Sequence, residues 1–364
     1  MPLRFRLATQ DDDAALRRAF ASTPMEGGMR LAFEREPSFH DALVVQGPFV
    51  QVIICEDTAT GAIAAFGTRA IADAFVNGTP RPLGYLSDLR ILPAYRNRTI
   101  LARGYQFLRE LDRDNRTALY STAIFSENAA ARGVLLGGRA GLPEYQHLGG
   151  LVTLGIHTSG LSRAVPPRLR IARGEPGQLG EMVSYLNSYN AGRQLAPVHH
   201  LEDFAPTGRW RNLDASDFFL AWEGSILHGV AALWDQSPFK QTRVLSYSGR
   251  WWWLRWLSRI LSTALPVARL PSPGSLFRFG YASFIALDTG KPEILYALLR
   301  TMREEAARRK WMHLLLTLHE RDPLLAIASQ LPHTKFHGDL YQVAMQSPAA
   351  LNSGFLPHVE ASLL

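Results

Sequence analysis

Two stretches of the chain, opening at Phe5 and at Leu169, run through one shared order of elements, and such a repeat restricts the fold more than any single motif does. Phe5-Arg-Leu-Ala-Thr9 and Leu169-Arg-Ile-Ala-Arg173 each alternate apolar and polar residues as a half-buried strand does. A helix follows each strand. Thr9 with Asp12 reads as a capping box ahead of Leu16 and Phe20, and Leu179, Met182, Val183 and Leu186 form the apolar stripe of the second copy. Hairpins come next, 49–56 with 62–68 around a turn at 57–61, and 218–222 with 226–234 around 223–225. Each copy then shows an apolar strand and a long helix: 85–92 before 99–111, and 281–287 before 292–309, where Pro292 suits a first helical turn. A further strand ends in a polar corner, Ser126-Glu127-Asn128 after 118–125 and His319-Glu320-Arg321-Asp322 after 313–318, with a helix behind it.

This order predicts an α/β (α+β) fold of two tandem domains, each a mixed, mostly antiparallel sheet flanked by helices. The 364 residues suffice for two such cores. The expected domains are 1–160 and 168–346, joined by a linker at 158–168 that contains Pro166-Pro167, with 347–364 as a loosely structured tail. The copies open 164 residues apart, at 5 and 169, but their polar corners lie 194 apart, at 128 and 322. The second copy therefore carries an insertion, placed at 240–271, which includes Trp251-Trp252-Trp253-Leu254-Arg255-Trp256. At helical spacing Trp252, Arg255, Trp256 and Arg259 share one face, while Leu254, Leu257, Leu261 and Leu265 share another. That pattern suits a cover over the domain seam, an interfacial membrane helix or a stacking surface for nucleic acid.

Cys55 is the sole cysteine, which excludes an intramolecular disulfide and a thiolate zinc site. His199, His200 and Glu202 lack a third spaced ligand, so no metal is expected. The net charge of +7 favours acidic small molecules, RNA or anionic lipid surfaces as neighbours. No apolar run reaches the length of a membrane span, and the N-terminus turns acidic where a signal peptide is apolar. A cytoplasmic protein without an integral membrane segment is expected.

The element order, together with Leu89-Arg-Ile-Leu-Pro93-Ala-Tyr-Arg96-Asn-Arg-Thr99-Ile-Leu101, resembles the GNAT superfamily of acyl-CoA-dependent N-acyltransferases. The segment is similar to the family's fourth strand and to the turn that wraps the CoA pyrophosphate with backbone N–H groups at a helix start. The resemblance implies acetyl-CoA or another acyl-CoA as co-substrate, held along Ile91 and Leu92 and through Arg96, Asn97, Arg98, Thr99, Ile100 and Leu101. Arg96 matches the family's Arg/Gln position, whereas Thr99 and Leu101 stand where the family has small residues. Asn128 matches the Asn after the fifth strand, either on the pantetheine or capping the next helix, and Leu135 occupies the place of a frequent Tyr acid.

Acyl transfer from a thioester to an amine needs a base at the cleft. Asp88, on the strand that resembles the fourth, is the first candidate, with the alternative that it pairs with Arg90 or with a neighbouring basic strand; Glu127 is the second. Glu26, beside Gly27 and Gly28, lies where the family's acceptor-side loop runs, and His319 with Glu320 forms a further candidate on the acceptor side. The expected reaction is direct acyl transfer to a primary amine of a small molecule or peptide. Two alternatives stand beside it: a Fem-like transferase using aminoacyl-tRNA, and a catalytically degenerate GNAT pair that binds a ligand or partner.

Overall fold

The computed structural model describes residues 3–96, 99–138, 141–159, 168–205, 207–261, 270–288, 290–291, 293–345 and 348–364. In chain order the first half runs β1 (Leu3–Leu7), α1 (Asp13–Ala21), β2 (Met29–Glu34), α2 (Phe39–Leu43), β3 (Phe49–Asp57), β4 (Ala62–Val76), β5 (Thr79–Ile91), α3 (Ile100–Leu111), β6 (Tyr120–Phe125), α4 (Ala129–Leu135) and β7 (Glu144–His157). The second half follows with β8 (Arg170–Arg173), α5 (Leu179–Asn190), β9 (Arg193–Gln194), β10 (Ala196–Pro197), β11 (Phe218–Glu223), β12 (Ile226–Trp234), β13 (Gln241–Tyr247), α6 (Arg250–Leu261), β14 (Phe279–Leu287), α7 (Glu293–Arg308), β15 (His313–His319), α8 (Leu324–Ala328), β16 (His333–Ala344) and β17 (Leu356–Pro357). The mixed, mostly antiparallel sheet and its flanking helices are those expected from the repeat.

One continuous sheet holds both copies, in the order β1-β3-β4-β5-β6-β16-β7-β15-β14-β12-β11-β8, with β10 attached to β4. The last strands are exchanged: β7 pairs antiparallel with β15 of the second half, and β16 pairs antiparallel with β6 of the first. Between them β16 and β7 are paired from His333↔Ile156 to Ala344↔Glu144. A cut between 160 and 168 therefore separates the chain but not the sheet. Apolar clusters cover the sheet: α1 and α2 bury Leu16, Phe20, Phe39 and Leu43 in one half, and α7 buries Leu295, Leu298, Leu299 and Met302 in the other.

Each half is bent at one point of its central strand. Register passes from Thr68↔Ser87 to Phe66↔Arg90, which leaves Asp88 and Leu89 as a bulge, and from Ala232↔Ser283 to Val230↔Ala286, which leaves Phe284 and Ile285. Asp88 and Phe284 both have φ of 53°, the left-handed conformation that most side chains avoid and bulges use. Beside each bulge the next strand is parallel and soon diverges. β5 and β6 pair only at Gly84↔Tyr120 and Tyr85↔Ser121; β14 and β15 pair only from Phe279↔His313 to Tyr281↔Leu315.

The closed end of the first divergence is anchored by a buried cation. Arg69 on β4 is fully buried and donates to both oxygens of Asp114 at 2.7 and 2.8 Å, to Gln51 at 2.9 Å and to the Tyr120 hydroxyl at 2.8 Å. Tyr120 in turn donates to Asp112 at 2.6 Å, so the segment after α3 is tied to the sheet where β5 and β6 meet.

Two expectations fail here. Residues 348–364 are not loose: β17 pairs parallel with β9, His358 N–H donates to the Gln194 carbonyl at 2.8 Å, and Asn352 N–H donates to Asn77 Oδ1 at 2.8 Å. Among the described residues the insertion is not split into a leucine face and an aromatic-basic face; the side chains of Arg259, Leu261 and Leu265 lie outside them. Its strand β13 pairs with β2, and α6 turns Trp251, Arg255 and Ser258 toward the protein while Leu254 and Leu257 are exposed. The docking of Trp251 on Gly28 sets that rotation, since a Cβ at residue 28 would stand 2.0 Å from the indole.

Candidate active site

Asp88 projects from the first bulge into a buried polar cluster that its own strand could not supply. Arg35, which follows β2, comes within 3.7 Å of Asp88 Oδ1, and both side chains are about nine-tenths buried. Arg35 and Arg90 both lie over the Phe20 ring, 4.7 and 5.4 Å from its centroid. Lys240, between β12 and β13, donates to the Leu364 main-chain oxygen at 2.8 Å; burial, with Arg35 nearby and only Asp88 opposing, holds its amine well below the usual lysine range. Burial also pushes the Tyr85 hydroxyl up, with Asp88 adding to the effect. Asp88 Oδ2, Arg35 Nε and Gln46 Nε2 are buried without a hydrogen-bond partner, in a protein interior where such groups are normally paired. The cations beside Asp88 favour its ionised form, and its Oδ2 is left with an open hydrogen-bond valence.

The gap beyond the bulge opens on apolar and helix-start chemistry. Leu89 and Phe125, on the two diverging strands, are 39% and 52% exposed, whereas most large apolar side chains of the sheet are buried. Half-buried Leu86, Leu101 and Ala131 pack against the Tyr105, Leu108, Ile124 and Leu135 cluster beneath. Leu101 thus lies along the inner wall of the gap with the α3 cluster, and Ile100 is buried with Cys55, Ala64 and Ala65. Ahead of α3 the 3-10 turn Pro93–Tyr95 is held by the Tyr95 hydroxyl on Asp57 at 2.9 Å and by Leu92 N–H on the Ala64 carbonyl at 2.9 Å. Thr99 occupies the cap position of α3 without a side-chain cap, and the first turn carries no acid. The first N–H groups of such a helix have no internal partner and face a positive dipole end, a good seat for phosphate. Arg96 is exposed beside it; Ile91 and Leu92 are half-buried on the approach; Asn97 and Arg98 lie outside the described residues.

The other expected residues are not gathered at Asp88 by any contact. Asn128 caps α4, its Oδ1 accepting from Ala131 N–H at 3.1 Å, and Glu127 is exposed in the turn before it. Glu26 pairs with Arg30 on the surface at 2.9 Å, and Ser248 N–H donates to the Gly28 carbonyl at 2.8 Å, so the loop is covered by the insertion. His319 is buried, faces the Leu148 carbonyl through Nε2 at 3.2 Å, and accepts from Arg321 N–H through Nδ1 at 3.2 Å; burial pushes its pKa down. Glu320 accepts from Gly150 N–H at 2.8 Å. The pair clamps β7 where Gly149, at φ 130°, leaves room for the imidazole. Arg35, Gln46 and Lys240 carry no sequence signal of this placement, because they come to the neighbourhood of Asp88 from separate loops, Gln46 by accepting from Ser87 Oγ at 3.1 Å, and no spacing relates them.

In the second half the corresponding gap is occupied by the protein itself. Phe284 fills its bulge and packs against His199, Trp210, Phe218 and Trp234 with centroids 4.9 to 5.8 Å apart. The Phe284 N–H donates to Glu360 Oε2 at 2.9 Å, and His358, Val359 and Glu360 close over Leu316, Thr317 and Leu318, leaving a cavity of about 10 Å³. Burial pushes Glu360 up to about 7, so this group favours the docked segment below the ordinary glutamate range and loses that contribution as pH rises toward 7. At the start of α7 stand Glu293 and Asp288, the latter hydrogen-bonded to Tyr185 at 2.5 Å and to His228 at 2.7 Å. A cavity of about 230 Å³ lies beside them, lined by Arg168, Glu223, His228, Lys291 and Glu293, with Lys291 donating to Glu223 at 3.0 Å. Among the described residues no cluster of metal-ligating side chains is found.

Each half thus has a bulged central strand beside a splayed parallel neighbour, the arrangement of the GNAT fold. No protein-family model matches the sequence, and no curated protein matches it. The structure is similar to a GCN5-related N-acetyltransferase from Sphaerobacter thermophilus, with a TM-score of 0.60, 12% identity, and coverage of 96% of this chain and 98% of that one. It is also similar to the N-myristoyltransferase of Saccharomyces cerevisiae with bound myristoyl-CoA, with a TM-score of 0.60, 10% identity and coverage of 99% and 88%. A GCN5-related N-acetyltransferase from Anabaena variabilis gives a TM-score of 0.53 at 9% identity, covering 94% and 72%.

Proposed function

We propose that the chain is an acyl-CoA-dependent N-acyltransferase whose first half holds the thioester. The observation that carries this reading is the asymmetry between the halves: one gap is rimmed by exposed apolar side chains and an uncapped helix start without an acid, whereas the other is filled at its bulge by Phe284 and the chain's own C-terminal segment, and the cavity at the start of α7 is lined in part by Glu223 and Glu293, which disfavour phosphate. The acyl-CoA lies in the gap between β5 and β6, its diphosphate on the N–H groups at the start of α3 with Arg96 beside it. The second half supplies a clue to the acyl group. Its bulge amide binds a carboxylate oxygen, and the equivalent amide, that of Asp88, is free of the ladder register and can polarise the thioester carbonyl in the same way. A primary amine of a small molecule or peptide then attacks the carbonyl carbon. The C–N bond forms, the amine proton passes to Asp88, and the C–S bond breaks to release CoA.

Titration calorimetry with CoA, acetyl-CoA and bulk tRNA tests the reading. CoA is expected to bind, and Arg96→Ala to weaken it about tenfold, the loss of one exposed charged hydrogen bond. Salt-sensitive tRNA binding without CoA binding would favour an aminoacyl-tRNA-dependent enzyme, and silence toward all three a degenerate pair.

A further inference from the structure

Half of the large exposed apolar side chains among the described residues belong to one helix. Trp252, Trp253, Leu254, Trp256 and Leu257 of α6 are 53, 65, 43, 53 and 43% exposed, whereas the remaining five are scattered over other elements. At roughly 100° per residue, Trp252, Trp253, Trp256 and Leu257 occupy one arc of about 140°. The opposite side is fixed: Trp251 rests on Gly28, Arg255 Nε donates to the Pro271 carbonyl at 3.2 Å, and Leu270 N–H donates to Ser258 Oγ at 3.2 Å. The bare arc is thus held outward by contacts on its back. No Asp or Glu occurs from 236 to 287, and of the Lys and Arg in that span whose side chains are described Arg250 and Arg278 are exposed, whereas the Lys240 amine is buried, Arg243 pairs with Glu34 and Arg255 is turned inward.

We infer that α6 seats on an anionic lipid surface, its tryptophans and leucines entering the boundary between headgroups and acyl chains while the surrounding cations face the lipid phosphates. The charge and the apolar arc together choose this occupant. Tryptophan favours that boundary, and an acid-free basic surround is drawn to anionic headgroups. A second copy of the chain would set the exposed Arg250 and Arg278 of each copy against the other's, and a nucleic acid would leave Leu254 and Leu257 without a use. Among the described residues no helix is long and apolar enough to cross a membrane, so the contact is interfacial. The inference stands on α6 alone and does not depend on the transferase reading.

The test is flotation of the full chain with phosphatidylcholine vesicles and with vesicles that also contain phosphatidylglycerol. Binding to the anionic vesicles is expected to be at least about tenfold stronger, to weaken in about 0.5 M salt, and to shift tryptophan emission to the blue. Trp252→Ser with Trp256→Ser should lower it about tenfold or more with unchanged circular dichroism; Trp253→Ser alone, at the most exposed position, gives the same direction if the double variant is unstable. Absence of binding to either vesicle, equal binding by the variants, or a dimer or RNA complex that the same substitutions abolish would overturn the inference.

Discussion

Asp88→Asn is expected to lower acyl-CoA-dependent release of CoA, in the presence of an accepted primary amine, by about two to four orders of magnitude, the usual contribution of a positioned base. The substitution is close to isosteric, and Asn takes the left-handed conformation at φ 53° as readily as Asp does. The bulge and the β5–β6 gap should persist, with calorimetric affinity for CoA unchanged, while loss of the charge facing buried Arg35 should lower stability. The pH profile separates base from scaffold. An amine that loses its proton unaided no longer needs the carboxylate, so the deficit should shrink as pH rises toward the amine's own pKa, near 10 for an alkylamine. A uniform loss at every pH, or less than about a threefold loss, would reduce Asp88 to an ion-pair partner of Arg35.

Arg69→Met is expected to cost about 3 kcal/mol of stability, the lower end of the range for removing one member of a buried ion pair because Asp114 keeps partial contact with water. The methionine fills the volume but leaves Asp114, Gln51 and the Tyr120 hydroxyl without their donor. Arg69→Lys should recover only part of the loss, since an ammonium cannot span both Asp114 oxygens and the tyrosine. Urea titrations of the three proteins check this. A change below about 1 kcal/mol for Arg69→Met would show that the closed end of the gap is held by strand pairing alone.

The repeated order of strands and helices could be read from the sequence because apolar spacing is a local property. The α3 helix, expected over 99–111, runs Ile100–Leu111, and the hairpin strand expected over 226–234 is β12 (Ile226–Trp234). One clear signal went unused: Asn77-Gly78, both at positive φ, turns β4 into β5 and makes one long hairpin of them. The strand exchange was not readable, because β7 and β16 alternate alike and nothing local states which neighbour each will pair with. The same holds for the C-terminal segment, whose partners β9 and Phe284 lie more than 70 residues earlier in the chain. At the candidate site Asp88 and the stretch from Ile91 to Leu101 could be singled out because they resemble a strand and the turn that follows it in a known family; the structure places Asp88 on the β5 bulge and Ile100 and Leu101 at the start of α3. Arg35, Gln46 and Lys240 could not, since a side chain that reaches a site from another loop leaves no mark in the spacing. His319 and Glu320 misled for a related reason: a polar corner after a core strand serves equally to clamp a neighbouring strand.

Hydrogen exchange of the protein with and without acetyl-CoA tests the assignment of the two halves most directly, because each gap has its own peptides. Slowed exchange is expected over 86–92, at 99–103 and over 123–129, with no change over 282–288 and 293–297. Protection at the start of α7 and along β14, or protection at neither gap, would contradict that assignment.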